Sequence, residues 1–201
     1  MSVSCAIILT AMVDVMAKSA VQSNTDDLVS LARTNTEAFG RLYDLYYERI
    51  FRFCVHRLFY KETAEDVTSA IFLQVARQIA GFKGQTQADF RNWLYAIAAN
   101  HANSYIRKTL RQKQLLCEAA DSLKKTAADC PDQADWPMLY AAISRLKPKH
   151  QTIVTLRFFE NMEFEEIGKI INARGAAVRV MLHRILKKIR RHLQAVLDGE
   201  K

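Results

Sequence analysis

Two stretches of this chain concentrate side chains suited to holding nucleic acid. The first, Phe90 to Arg111, sets Arg91, Arg107, Lys108 and Arg111 among the aromatics Trp93, Tyr95 and Tyr105, with the amides Asn92, Asn100 and Asn103, His101 and no acid. Rings that stack on unpaired bases, beside cations that track the backbone, grip single-stranded nucleic acid, at roughly 1–3 kcal/mol per stacked base. Trp93 and Ile97 repeat at core spacing and read as packing anchors, which leaves Asn100, Asn103 and Arg107 for surface contacts.

The second stretch is Glu163 to His192. A short helix with its apolar side on Phe164, Ile167 and Ile171 breaks at Asn172-Ala173-Arg174-Gly175, and Asn172 tolerates the left-handed backbone such a turn needs. The helix that follows buries Val178, Leu182, Ile185, Ile189 and Leu193 and shows Arg179, His183, Arg184, Lys187, Lys188, Arg190 and Arg191. Seven Lys/Arg and no acid lie between Arg174 and His192. A basic helix behind a tight turn is suited to a major groove, its N-terminal part against base edges.

Catalytic chemistry finds no comparable support. HExxH, GxSxG and the phosphate-binding loop are absent. The five histidines, His56, His101, His150, His183 and His192, are scattered, none at convincing spacing from a carboxylate. Cys5, Cys54, Cys117 and Cys130 form no CxxC pair and fit no zinc site, so they read as reduced thiols, and no metal or cofactor is expected.

The elements that must position these stretches are helices. Glycine (6) and proline (3) are scarce, which argues against a turn-rich β fold. Thr25 reads as the cap of a first helix. Thr36 reads as the cap of a longer one, along which Phe39, Leu42, Tyr46, Ile50, Phe53 and Cys54 form an apolar stripe. Thr63 with Asp66 resembles a capping box for the next, and a polar loop, Gly81 to Asp89, leads to a helix over about Phe90 to Arg111. Periodicity fades from Lys113 to Asp135, and helical patterns return after Pro137. The expected fold is all-α, two small helical domains joined by a flexible linker: an extension over 1–24, a first domain over 25–112, a linker over 113–135 and a second domain over 136–197. Met12 and Met16 are alternative starts within the extension.

The net charge of +8 suits a polyanionic partner. No apolar run nears the ~20 residues of a membrane helix, and the N-terminus lacks a basic stretch before its apolar run, so neither membrane insertion nor a signal peptide is expected.

In order and spacing these motifs resemble the extracytoplasmic-function branch of the sigma-70 family over roughly Asp27 to Leu193. Ala64-Glu65-Asp66-Val67 through Phe72-Leu73 is similar to the polymerase-binding helix of sigma region two, with Ser69-Ala70 in place of the usual Gln-Glu pair. The resemblance implies polymerase contacts at Asp66, Ser69, Phe72 and Leu73. Trp93-Leu94, Ile97-Ala98, Asn100 and Arg107 match the stretch that melts and reads the minus-ten element, with Ser104 where an Asp is usual. Arg91, Asn92, Tyr95, Asn100, Asn103, Arg107 and Lys108 are the implied contacts there, and the loop Gly81 to Asp89 takes the position that captures a flipped base.

Leu146 to Glu160, Glu166-Ile167, Val178 and Leu182-His183-Arg184 resemble sigma region four. The implied minus-thirty-five contacts are Arg174, Ala177, Arg179, Val180, His183, Arg184 and Lys187. Ala177 and Val180 replace the usual Thr and Ser, and Glu163 replaces a Ser or Thr cap. The resemblance further implies core RNA polymerase, promoter DNA and an anti-sigma factor as partners, a cytoplasmic setting and no enzymatic activity. The competing reading is a helix-turn-helix regulator that acts without being a polymerase subunit.

Overall fold

The computed structural model describes residues 27–119 and 137–199. Helix α1 is described over residues 27–31. It is followed by α2 (Thr36–Leu58), α3 (Lys61–Gln78), a 3₁₀ turn (Ile79–Gly81), α4 (Gln87–Ala119), α5 (Pro137–Ser144), α6 (Pro148–Phe158), α7 (Phe164–Ile171) and α8 (Gly175–Gly199). Among the described residues there is no strand, in agreement with the all-α expectation. No helix among them is long and apolar enough to cross a membrane. The expectations for Thr25, residues 1–24 and the linker from 120 to 135 lie outside the described residues, as do Cys5 and Cys130.

Helix starts show where local chemistry was misread. The cap of α2 is Asn35, not Thr36: its side-chain oxygen accepts from the backbone N–H of Glu37 at 2.8 Å and of Ala38 at 3.2 Å. Thr63 does not start α3, which begins at Lys61 behind an uncapped Tyr60. The reversal before it turns on Phe59, held at φ 65°, whose N–H reaches the Val55 carbonyl. The loop before α4 ends sooner than the glycines suggest. Thr86 and Asp89 exchange hydrogen bonds, Asp89 N–H to Thr86 Oγ1 at 3.1 Å and Thr86 N–H to Asp89 Oδ2 at 3.3 Å, so α4 starts at Gln87. At its other end α4 continues to Ala119, past Lys113 where the apolar period fades.

The first half is a bundle of α2, α3 and α4 around Leu42, Tyr46, Ile50, Phe53, Ile71, Val75, Phe90 and Leu94, all at most 1% exposed. Tyr46 lies 5.4 Å from Phe90, and Phe53 meets the edge of Tyr95 at 5.6 Å, ring separations at which aromatic pairs attract. The second half packs α5 to α8 around Ile153, Leu156, Met162, Ile167, Val178 and Ile185. The two halves do not stand apart: α6 and α7 rest on α2 and α4.

Candidate nucleic-acid interface

The turn between α7 and α8 is built by local chemistry. The Glu163 side chain accepts from the α7 backbone while Glu166 Oε2 accepts from the Glu163 N–H at 3.0 Å, a reciprocal cap at the helix start. Asn172 ends α7 in the left-handed region at φ 53°, as its residue type suggests. The chain then folds back so closely that a Cβ on Gly168 would lie 2.5 Å from the Ala173 carbonyl oxygen, a contact only glycine avoids. The Gly168 requirement had no sequence motif to announce it.

Helix α8 is oriented by Val178, Leu182, Ile185 and Ile189, which point into the core. Arg174, Ala177, Arg179, Val180, His183, Arg184 and Lys187, expected to meet DNA, are all exposed. Val180 is 51% exposed, an apolar side chain held out beside the basic ones. Two guanidiniums lie over the Phe164 ring, Arg157 at 4.8 Å and Arg179 at 5.0 Å from its centroid. Arg179 thus reaches from α8 to the Phe164 ring of α7, a cation–π contact between the two helices.

The expected contacts on α4 are placed differently. Asn100, Arg107 and Lys108 are exposed. Tyr95 is a correction: it is 1% exposed, and its hydroxyl donates to Glu160 of the second half. Asn92 is another, at 8% exposed. Arg91 forms an ion pair with Glu166 of α7. Asn103 Oδ1 accepts from Arg57 Nη2 at 2.6 Å and from the Thr152 hydroxyl at 3.2 Å. Trp93 packs over Phe82 at 4.8 Å, the core role expected for it. The loop ahead of α4 is tied to the bundle by Arg33, which donates to the Gly84 carbonyl.

Of the residues expected to meet polymerase, Asp66, Ser69 and Leu73 are exposed, Leu73 at 54%. Phe72 is a correction: it is 5% exposed and lies 4.7 Å from Tyr43 and 6.1 Å from Tyr47. It backs this face of the bundle and does not form its surface.

Arg57 escaped the sequence reading. It is 1% exposed at the junction of the two halves. Its Nη1 donates to Gln151 Oε1, and its Nη2 donates to Asn103 and, at 3.2 Å, to the Pro148 carbonyl. All three acceptors are neutral, so burial lowers the guanidinium pKa to about 10. Glu160 has the reverse problem. Burial raises its carboxyl pKa, opposed by the Tyr95 hydroxyl and by the charges of Arg52, Arg49 and Arg91. Cys54 is fully buried, and burial pushes its thiol up to about 11, which makes it inert.

Known proteins are similar to this chain in sequence and in architecture. Residues 42–112 match the family model described as Sigma-70 region 2, and residues 142–191 match that described as Sigma-70, region 4. The chain is 29% identical over 172 residues to the ECF RNA polymerase sigma factor BldN of Streptomyces coelicolor, covering 83% of this chain and 65% of BldN. It is 26% identical over 165 residues to the RNA polymerase sigma factor YlaC of Bacillus subtilis, covering 80% of this chain and 94% of YlaC. In fold it is similar to CnrH, solved in complex with the cytosolic domain of CnrY, with a TM-score of 0.60 at 17% identity over 88% of this chain and 98% of CnrH. It is also similar to the sigma factor RpoE of Bartonella quintana, solved in complex with the anti-sigma factor NepR, with a TM-score of 0.59 at 17% identity over 78% of this chain and 96% of RpoE.

Proposed function

Because the chain belongs to the sigma-70 family, in its extracytoplasmic-function branch, we propose that it binds core RNA polymerase and directs transcription initiation at particular promoters. The observation that carries this reading is the pairing, in one chain, of matches to region two and region four, each with an acid-free basic stretch of helix. The first half matches region two and carries the aromatic and basic α4; the second matches region four and carries the capped turn and α8.

On this reading α8 enters the major groove of the minus-thirty-five element. Ala177, Val180 and His183 on its N-terminal half, with Arg174 just ahead of its first residue, face base edges, and Arg179, Arg184 and Lys187 serve phosphates. Helix α4 meets the opened minus-ten element through Asn100, Asn103, Arg107 and Lys108. Arg91, Asn92 and Tyr95 shape that surface from beneath or join it when the second half moves away. Asp66, Ser69 and Leu73 on α3 contact polymerase, with Phe72 holding them in place. The domains run over 25–112 and 136–197, joined by the linker.

Bond-making belongs to polymerase, so the role needs no catalytic group, metal or cofactor of this chain. The setting is the cytoplasm, where polymerase works. The sigma factor RpoE of Bartonella quintana, similar in fold, was solved with the anti-sigma factor NepR, which supports an anti-sigma partner here too. The test is transcription in vitro with purified core polymerase on native DNA. Promoter-specific RNA that depends on this chain is expected. Specific binding to an operator without polymerase, and no such RNA, favours the free-standing regulator instead.

A further inference from the structure

The loop ahead of α4 carries two glycines, Gly81 and Gly84, a composition that favours many backbone shapes. It is nevertheless held from three sides. Phe82 turns inward, 4.8 Å from Trp93 in a stacked pair and 5.9 Å from Phe90 edge-on. Gly84 arches over that ring, so closely that a Cβ there would collide with Phe82 Cζ and lie 2.7 Å from Asp89 Cβ. Thr86 closes the far end: its hydroxyl donates to Asp89 Oδ2 at 2.8 Å. The Thr86 bonds hold the Asp89 carboxyl below the ordinary carboxylate pKa, so the acid of the loop is engaged in its own cap.

The third side is Arg33. It sits in the turn between α1 and α2, anchored by the buried Val29 and Ala32 before it and by the Asn35 cap after it. Its Nη2 donates to the Gly84 carbonyl, 51 residues away, and its guanidinium lies 5.8 Å from the Phe82 ring centroid. Both contacts are with the loop. Among the described residues Arg33 has no ion pair, and its Nε is buried without a hydrogen bond. A guanidinium that faces a carbonyl and a ring gains less from its charge than one that faces a carboxylate. What it fixes is the path of the chain from Phe82 to Gly84. With Phe82 turned inward and Asp89 capped, Lys83 and Gln85 are left exposed on either side of Gly84. One is a cation suited to a backbone phosphate, the other an amide suited to a base edge.

We infer that Arg33 is a positioning residue for promoter opening: it holds the loop in its receiving shape before DNA arrives, so that Lys83 and Gln85 meet a phosphate and a base of the opened strand. This rests on the sigma-factor reading for the identity of the loop's partner. A glycine-bearing loop that is ordered in advance spares strand capture the entropy of ordering it. Arg33 acts through Gly84 and Phe82 and need not touch the strand.

The test uses the full chain, free for amide hydrogen exchange and with core polymerase on promoter DNA for strand opening. Arg33→Met keeps the stem and removes the donors and the charge. Gly84→Ala displaces the Phe82 ring and loosens the same loop from its other side. Both should speed exchange of the amides of residues 82–86. Both should cut opening of the minus-ten element about tenfold, the loss expected if the receiving shape falls to roughly one chain in ten. Polymerase affinity and minus-thirty-five binding should hold at their wild-type values. Arg33→Lys, whose ammonium can still bond the carbonyl, should restore much of the opening. The double variant should lose no more than either single one, because both release one loop. Lys83→Ala and Gln85→Ala should weaken opening and leave the exchange unchanged. Four results overturn the assignment: exchange unchanged by Arg33→Met, faster exchange with normal opening, opening unmoved by both Lys83→Ala and Gln85→Ala, or opening that falls only together with polymerase affinity and is not rescued by Arg33→Lys. A wild-type chain that opens no promoter would instead sink the sigma-factor reading, and the exchange of residues 82–86 would still decide whether Arg33 holds the loop.

Discussion

Helices α4 and α8 carry similar chemistry and meet different fates. Each has an acid-free basic stretch, Phe90 to Arg111 in one and Arg174 to His192 in the other. On α8 the cations stand exposed, because the helix is packed along one side only. On α4 the bundle holds one side and region four holds part of another, so Tyr95 and Asn92 are buried and Arg91 is paired. The comparison teaches that similar basic sequences end with different exposure, because the neighbours of each helix decide which of its side chains reach the surface.

The largest effects should come from residues that build the two scaffolds. Phe72→Ala empties a site lined by Tyr43 and Tyr47 and should cost the first half about 3–5 kcal/mol, read in a denaturant melt. Leu73→Ala, one residue on and 54% exposed, should leave that melt within about 0.5 kcal/mol yet weaken polymerase binding. On the α8 side, Gly168→Val forces a side chain against the Ala173 carbonyl and should cost roughly 1–3 kcal/mol or more, with loss of minus-thirty-five binding. A melt unchanged by Gly168→Val would contradict the tight turn.

A sharper contrast comes from salt. Lys187→Ala should flatten the salt dependence of duplex binding by about one unit, because one phosphate contact is lost. Arg91→Ala should leave the slope for the free chain unchanged, since Glu166 already holds that cation. Equal changes in the two variants would erase the proposed difference between the helices.

How much of this was legible follows from the range of each interaction. The turn at Asn172, the outward cations of α8 and the packing of Trp93 depend on neighbours a few residues away, and residue type and spacing carried them. The start of α2 was missed by one residue because Asn35 and Thr36 are both good caps, and only geometry shows which oxygen reaches the N–H groups. Tyr95 was placed outward because its burial is completed by Glu160, 65 residues away. Arg57 was invisible for the same reason, as its Gln151 acceptor is 94 residues distant. A basic residue in an amphipathic helix gives no sign that another domain will enclose it.

The smallest effect expected is with pH. Burial lowers the pKa of His56, His101 and His150, so the folded chain binds fewer protons than the unfolded one just below the ordinary histidine value. Stability should therefore be full above about pH 6.5 and fall as pH drops through the depressed values. His56 faces Tyr140, Phe159 and Arg52 at the seam, so its protonation should also loosen the two halves. Glu160 acts in the opposite sense at the acid end, since its raised pKa favours the folded chain when protonated. A melt that strengthened between pH 7.5 and about 6 would contradict the histidine assignment.

The division of labour between α4 and α8 is tested most directly by permanganate footprinting of a promoter with core polymerase and this chain. Unpaired thymines should become reactive around the minus-ten element only when the chain is present. Changing Asn100 and Arg107 together should abolish that reactivity while protection at the minus-thirty-five element persists, and changing Arg184 and Lys187 should weaken the protection first. Strand opening that survives the α4 changes, or minus-thirty-five protection lost with them, would contradict the account.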